Sequence, residues 1–297
     1  MNRVLVTDGH SRASLQVVRS LSKLGLEVFI SESYKLNPSF FSKYVKGTHV
    51  YPKPDNEKAF VESIKSYCIE KKIKVIFPIV DDCLITLVKN KEKFIGIQIP
   101  FTTIENLQLF RDKGKTMKLC EKLNLPHPKT YFVDESNILE LSEKLDYPVI
   151  IKPRIGSGSR GIYLLKNKNE LLSKYRTVSE NFGSLIIQEF IPHGGAYGVE
   201  MLLDSKGLVS KFVHKRVREY PVSGGPSTNR ISTSNKYMEF VAYKLVEELK
   251  WEGPLMVEFR VDSRDKIPKI MEVNGRYWGS LRCSIAAGVD FPKNQYE

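Results

Sequence analysis

The first thirty residues switch between two hydrophobic spacings. Val4-Leu5-Val6-Thr7 is an apolar run of strand length, and Leu15, Val18, Leu21 and Leu24 then recur at helical intervals. Asp8-Gly9 between them is a turn signal. Gly25 stands where a helix C-cap belongs, just before a second apolar run at Glu27-Val28-Phe29-Ile30. Strand, helix and strand in that order predict a parallel sheet, which holds its ligands at the strand C-termini. The turn Asp8-Gly9-His10-Ser11-Arg12 lacks the GxGxxG spacing, so no dinucleotide site is expected there. An amphipathic helix over 57–71, a strand over 74–78 and a last short strand over 97–101 carry this first domain to residue 112.

Beyond it, a helix over 113–125 is stopped by Asn124-Leu125-Pro126-His127-Pro128. Apolar strands are expected at 147–153, 161–165, 185–190, 255–260 and 269–273, with a helix over 239–249. The last two strands are bridged by Asp262-Ser263-Arg264-Asp265-Lys266, a polar hairpin-like turn. The chain shows no internal repeat, and its fold class is α/β with two domains, 1–112 and 113–297.

Composition narrows the function classes. Of 297 residues, 41% are hydrophobic and 27% charged, which is enough apolar material for a folded core. No apolar run reaches the ~20 residues that span a bilayer, and the N-terminus enters a strand directly, so neither a membrane partner nor a signal peptide is expected. Cys68, Cys83, Cys120 and Cys283 are scattered, without a CxxC pair, and imply no disulfide or zinc framework. The expected location is the cytoplasm. The net charge of +12 is spread along the chain: residues 1–112 carry 17 basic and 12 acidic residues (+5), and 113–297 carry 29 and 22 (+7). With no basic stripe or arm, a nucleic-acid partner is not expected, whereas a small anionic ligand suits the balance.

Two stretches carry candidate chemistry. In Ile151-Lys152-Pro153-Arg154-Ile155-Gly156-Ser157-Gly158-Ser159-Arg160-Gly161 a glycine-rich loop follows a strand that delivers a lysine. Glycines let backbone amides approach phosphate oxygens, Ser157 and Ser159 add hydroxyl donors, and Lys152 supplies a point charge. The order is not that of a P-loop, and in isolation a solvated surface hairpin explains it equally well. The second stretch is the pair of strands at 255–260 and 269–273. Glu272 and Asn274 lie two apart, so they share a face, and Glu258 lies opposite if the strands pair through the short turn. Two carboxylates and an amide oxygen form a hard, oxygen-only site of the Mg²⁺ type. The alternative is that each glutamate faces solvent on an alternating strand. Arg276, two beyond Asn274, falls on the same side, where it could contact phosphate or a developing anion.

The ordered set Asp112-Lys113, Leu125-Pro126-His127-Pro128, Ile151-Lys152-Pro153, the glycine loop, Gln188-Glu189-Phe190-Ile191, Glu258, Glu272-Val273-Asn274-Gly275-Arg276 and Gly279-Ser280 resembles the ATP-grasp superfamily. It is closest to the branch of carboxylate–amine ligases and the carbamoyl-phosphate-synthase large subunit. The resemblance implies a Rossmann-like pre-ATP-grasp domain over 1–112 and a two-lobed ATP-grasp domain over 113–297, with a lid at about 128–190 and a catalytic lobe at about 191–297. It implies that Lys113, Lys152 and the loop residues Gly156, Ser157, Gly158, Ser159 and Gly161 contact the ATP phosphates. Glu189, Phe190 and Ile191 would form the hinge that holds adenine. Glu258, Glu272 and Asn274 would bind Mg²⁺, or Mn²⁺ in its place. Arg276 and Lys152 would be the catalytic groups, and the chain could form a homodimer.

The implied activity is phosphorylation of a small carboxylate to an acyl-phosphate, which an amine displaces. Two other readings stay open: a carboxylate or carbamate kinase that stops at the acyl-phosphate, and a non-catalytic nucleotide sensor. In the family a second glutamate near position 196 grips the ribose; here that place holds Ala196, with Glu200 nearby on another register. The substrate is expected at Arg216, Arg218, Gly224 and Gly225, because alternating basic residues before a Gly-Gly-Pro turn suit a carboxylate. A solvated edge strand guarded by charge fits the same residues. His10, Arg12, Asp81 and Asp82 lie near strand ends of the first domain as weaker candidates. Related ligases continue past the position of Glu297, so the chain reads as a trimmed or unusually short member.

Overall fold

In the computed structural model, which describes residues 2–156, 158–220, 225 and 227–297, three sheets follow one another along the chain. The first unit holds β1 (Arg3–Val6), α1 (Arg12–Lys23), β2 (Glu27–Glu32), β3 (Gly47–Val50), α2 (Glu57–Glu70), β4 (Val75–Phe77), α3 (Asp81–Lys89) and α4 (Ile104–Arg111). Its four strands are parallel, in the order β3-β2-β1-β4. Ser11 caps α1 by accepting from the Ala13 amide, and the helix turns Val17, Val18 and Leu21 into the core. Asp8 is buried with φ at +60° and accepts from the Ile79 and Val80 amides (3.1 and 2.9 Å) and the Tyr51 hydroxyl (3.1 Å). The Asp8-Gly9 turn therefore fastens the tip of β1 to that of β4.

The strand expected over 97–101 is not formed. Gln98 makes one parallel bridge to Val75, with Ile76 N donating to Gln98 O and Gln98 N to Lys74 O, both at 2.8 Å. Pro100 has no amide to extend the ladder, and the chain turns away as Phe101 N donates to Ile99 O at 2.8 Å.

The second unit holds α5 (Lys113–Lys122), β5 (Thr130–Val133), α6 (Ile138–Lys144), β6 (Val149–Pro153), β7 (Tyr163–Leu165), α7 (Lys168–Phe182) and β8 (Leu185–Glu189). Its antiparallel sheet runs β5-β8-β6-β7. Beneath it α6 and α7 close a small core that includes Ile151, Leu171, Val178 and Ile187.

The third unit holds β9 (His193–Asp204), β10 (Gly207–Glu219), β11 (Ser227–Thr233), α8 (Lys236–Glu247), β12 (Gly253–Asp262), β13 (Pro268–Asn274), α9 (Leu281–Ala286) and α10 (Phe291–Tyr296). Its antiparallel sheet runs β11-β10-β9-β12-β13. His193 starts β9. The core of this sheet is continuous with that of the first unit: Trp251 packs on Phe110 with ring centroids 5.1 Å apart, and one cluster runs from Val4 to Phe291. The last helices return to α1, where Asp290 accepts from the Ser20 hydroxyl at 2.5 Å.

Candidate functional site

Register decides the arrangement of the acids. β12 and β13 pair so that Glu258 faces Glu272 and Met256 faces Asn274, which puts all three polar side chains on one face. The side chains of Glu258 and Glu272 are only 17% and 32% exposed, so neither is a solvent-facing residue of an alternating strand. Asn274 Nδ2 donates to Glu258 Oε1 at 3.1 Å. Burial pushes the Glu258 carboxyl above its ordinary range; the Arg216 guanidinium on it opposes that shift, and the facing Glu272 adds to it.

Two lysines face the acids. Lys113 opens α5, and its Nζ lies 2.7 Å from Gly156 O and 3.4 Å from Glu272 Oε2. Lys152, near the end of β6, is 5% exposed and has no ion pair among the described residues. Burial, followed by repulsion from Lys113, pulls its ammonium down to about 8. Asp112 joins the two segments. It caps α5 by accepting from the Gly114 and Lys115 amides (2.9 and 3.2 Å) and takes Arg154 Nε at 3.0 Å. Burial pushes this carboxyl up, but Arg154 and the two amides outweigh it and hold it below the usual range.

After Gly156 the loop turns through left-handed backbone at Gly158 (φ +67°), Ser159 (+59°) and Gly161 (+73°). At Gly161 a Cβ would also meet Pro153 Cγ at 2.8 Å, so glycine is required twice over. Ser157 lies outside the described residues. Lys113, Gly156, Glu272, Asn274, Arg276 and Asp81 share a groove of about 230 Å³.

At the hinge, the Glu189 side chain accepts from Lys269 Nζ at 2.9 Å and from the Lys129 amide at 3.2 Å, beside a partly buried Phe190 and a buried Ile191. Arg276 lines the groove with Glu272 and Asn274, where its Nε donates to Asp81 Oδ2 at 2.8 Å and its Nη1 to Tyr277 O at 2.9 Å. Gly275 sits so close to Trp251 that a Cβ there would lie 2.6 Å from Cη2. Asp81, the weaker candidate, thus belongs to the groove, whereas His10 is bound to the buried Glu32 at 2.5 Å.

The shared face expected for Arg216 and Arg218 is absent. A bulge between them breaks the alternation, leaving Arg218 exposed while Arg216 pairs with Glu258 and, at 3.2 Å, with Glu219. Gly225 is buried, and Gly224 lies outside the described residues. Ala196 is buried on the sheet between Arg216 and Arg260.

Sequence reasoning overlooked a second polar cluster on the same face. Glu200 and His214 are fully buried, with Nδ1 and Oε1 3.0 Å apart but misaligned for a hydrogen bond, and Ser280 donates to Glu200 at 2.9 Å. The His214 ring lies over Gly198, where a Cβ would come within 2.4 Å of Cε1. The signal was present, since Val199-Glu200-Met201 sets an acid in an apolar strand as Val257-Glu258-Phe259 does.

As a metal site, the set is oxygen-only but small. Among the described residues no three His, Cys, Asp or Glu side chains gather to hold an ion. Two carboxylates and an amide match the Mg²⁺ habit of taking one or two protein carboxylates plus phosphate oxygens and water. The donor chemistry therefore fits a cation that arrives with a nucleotide, with Glu258 and Glu272 as its holders.

The ATP-grasp domain family matches residues 110–280. The carbamoyl phosphate synthase large chain of Pyrobaculum aerophilum is 28% identical over 208 residues, which is 66% of this chain and 20% of that one. The chain spans only 18% to 31% of the lengths of three carbamoyl phosphate synthase relatives that it matches. Among solved structures, a biotin carboxylase from Campylobacter jejuni in complex with a βγ-ATP ligand superposes with a TM-score of 0.83 at 16% identity, covering 99% of this chain and 70% of that one. An L-amino acid ligase from Bacillus licheniformis superposes with a TM-score of 0.76 at 18% identity, covering 99% and 72%. At those identities the superpositions speak for the fold alone.

Proposed function

The chain belongs to the ATP-grasp family, and on that premise we propose that it is an ATP- and Mg²⁺-dependent ligase that activates a small carboxylate and couples it to an amine. In this reading residues 1–112 are the pre-ATP-grasp domain, 128–190 the lid and 191–297 the catalytic lobe. The observation that carries it is the register that sets Glu258 against Glu272, facing Lys113 and Lys152 across the groove.

Bound Mg²⁺ supplies charge neutralisation at the β- and γ-phosphates, and the chain's own residues do the rest. Lys113 and Lys152 would draw the phosphates in, and the backbone amides at Gly156 and from Gly158 to Gly161 would meet them. Glu258 and Glu272 would offer their carboxylate oxygens to the cation from one face of the paired strands. A carboxylate oxygen attacks the γ-phosphorus, and ADP leaves. The amine nitrogen then attacks the acyl carbon and loses a proton, and phosphate departs. Such transfers need positioning and charge compensation more than a protein nucleophile. Arg276, in the lining of the groove beside Asp81, would steady the transferred phosphoryl group, and Arg216 holds Glu258.

The test is release of ADP and phosphate across a panel of carboxylates and amines, with Glu272→Gln as control. Turnover that requires both substrates supports the reading. Turnover stimulated by a carboxylate alone, with a hydroxylamine-trappable product, would reassign the protein as a kinase, and nucleotide binding without any stimulated turnover would make it a sensor.

A further inference from the structure

A larger cavity, about 640 Å³, lies away from the acids, between α1, the segment 38–44 and the helices α9 and α10. It shares no lining residue with the groove that holds Glu272 and Arg276. Helix α1 turns Val17, Val18 and Leu21 into the core, so its flank at Leu15, Arg19 and Lys23, spaced four apart, forms one stripe along the cavity wall. Lys43 comes from the facing segment and Arg282 from α9.

Four cations therefore converge on one space. Among the described residues none of them forms an ion pair, and Lys43 only lies over the Tyr44 ring at 5.4 Å. Asp290 is the acid in the lining, and its Oδ1 is already taken by the Ser20 hydroxyl (2.5 Å) and the Lys293 amide (3.2 Å). Like charges gathered around a concave surface repel one another and focus a positive potential into it, an arrangement that an anion relieves. The wall between them is apolar and aromatic: Phe41 is 77% exposed, with Tyr44, Leu15 and Ile285 nearby. The volume falls within the ~300–1,000 Å³ typical of small-molecule pockets.

We propose that this cavity is a second ligand site, for a small phosphorylated compound with a planar ring, whose phosphate sits among Arg19, Lys23, Lys43 and Arg282 and whose ring lies against Phe41 and Tyr44. The ligand would bridge the first unit and the C-terminal helices, at a distance from the phosphoryl-transfer groove.

Pyridoxal 5′-phosphate is a suitable probe because it carries a phosphate, an aromatic ring and an aldehyde. The aldehyde condenses with a lysine amine with loss of water, and borohydride then fixes the imine. Peptide mapping of the labelled full chain should show Lys23 or Lys43 modified about tenfold faster than the exposed Lys58, since a focused potential raises local anion concentration by that order or more. Tripolyphosphate should protect them. The Arg19→Ala/Arg282→Ala double variant should lose the preference while melting as the wild-type chain does; Arg282→Ala alone, on an exposed side chain, serves if the double variant is unstable. Uniform labelling of surface lysines would overturn the proposal, as would labelling at Lys23 and Lys43 that ignores both the substitutions and the competitor.

Discussion

Leu171 and Val178 of α7 and Ile187 of β8 belong to a core confined to the second unit, whereas Met201 of β9, Leu245 of α8 and Val257 of β12 belong to one that runs from the five-stranded sheet back to Val4 and Phe77. The chemistry divides along the same line. The acids sit on the sheet anchored in the large core, and Lys152 and the glycine loop sit on the sheet with the small one. Polar contacts join them: Ile270 N to Pro126 O at 2.9 Å, and Glu189 to Lys269 at 2.9 Å. The part of that unit from β5 to β8 has its own core and can shift without exposing much apolar surface, whereas α5 packs Met117 and Cys120 into the large core. On the proposed function, Lys152 and the glycine loop would then be the mobile half of the phosphate site and the acids the fixed half.

The largest expected effect lies on the anchored side. Glu272→Gln should lower ATP turnover by about 100-fold or more, because a preorganised charge is lost from the reacting centre, while circular-dichroism melting stays within error of wild type. Next, Leu171→Ala should destabilise the small sheet by about 2–4 kcal/mol. Hydrogen exchange would then accelerate over β5 to β8 and leave β9 to β13 untouched, whereas Leu245→Ala would accelerate exchange in both the first and third units. Equal acceleration everywhere in the Leu171 variant would erase the distinction between the two sheets.

Lys152→Met should combine opposite effects. Nucleotide affinity falls, yet chemical denaturation at pH 7 shows a gain of roughly 3–4 kcal/mol, since the ammonium falls from 10.5 to about 8 and each pKa unit corresponds to about 1.4 kcal/mol. The pH dependence has a fixed sign. Between about 8 and the ordinary 10.5 the unfolded chain holds a proton that folded Lys152 has lost, so this residue's contribution to stability rises with pH through that window. Nucleotide affinity, measured by calorimetry, should run the other way and fall above about pH 8. The smallest effect is at the hinge: Lys269→Ala should destabilise by only about 0.5–1 kcal/mol, because Asp262 keeps Arg264 and the pair with Glu189 is partly solvated.

The sequence was legible as far as the pairing of β12 with β13 through the Asp262–Lys266 turn. Phe259 pairs with Ile270, so unbroken alternation would set Glu258 against Met271; a register shift between Glu258 and Phe259 brings it opposite Glu272 instead. Spacing encodes neither that shift nor the bulge after Arg216 that sends Arg218 outward, and Arg276, beyond the end of β13, reaches Asp81 while lining the same groove. Glu200, His214 and Ser280 meet only because β9 lies between β10 and β12, a pairing of strands that local spacing does not encode. Helices α3 and α4 escaped notice although half or more of their positions are apolar, because each is under ten residues long and a short apolar run does not distinguish helix from strand.

The central claim is that the carboxylates at 258 and 272 hold a divalent cation brought by the nucleotide. An electron-paramagnetic-resonance titration of Mn²⁺ with and without ADP tests it on the wild type and on Glu258→Gln/Glu272→Gln. The account predicts ADP-dependent loss of the free Mn²⁺ signal in the wild type and none beyond Mn²⁺–ADP in solution for the double variant; equal uptake by both proteins would contradict it.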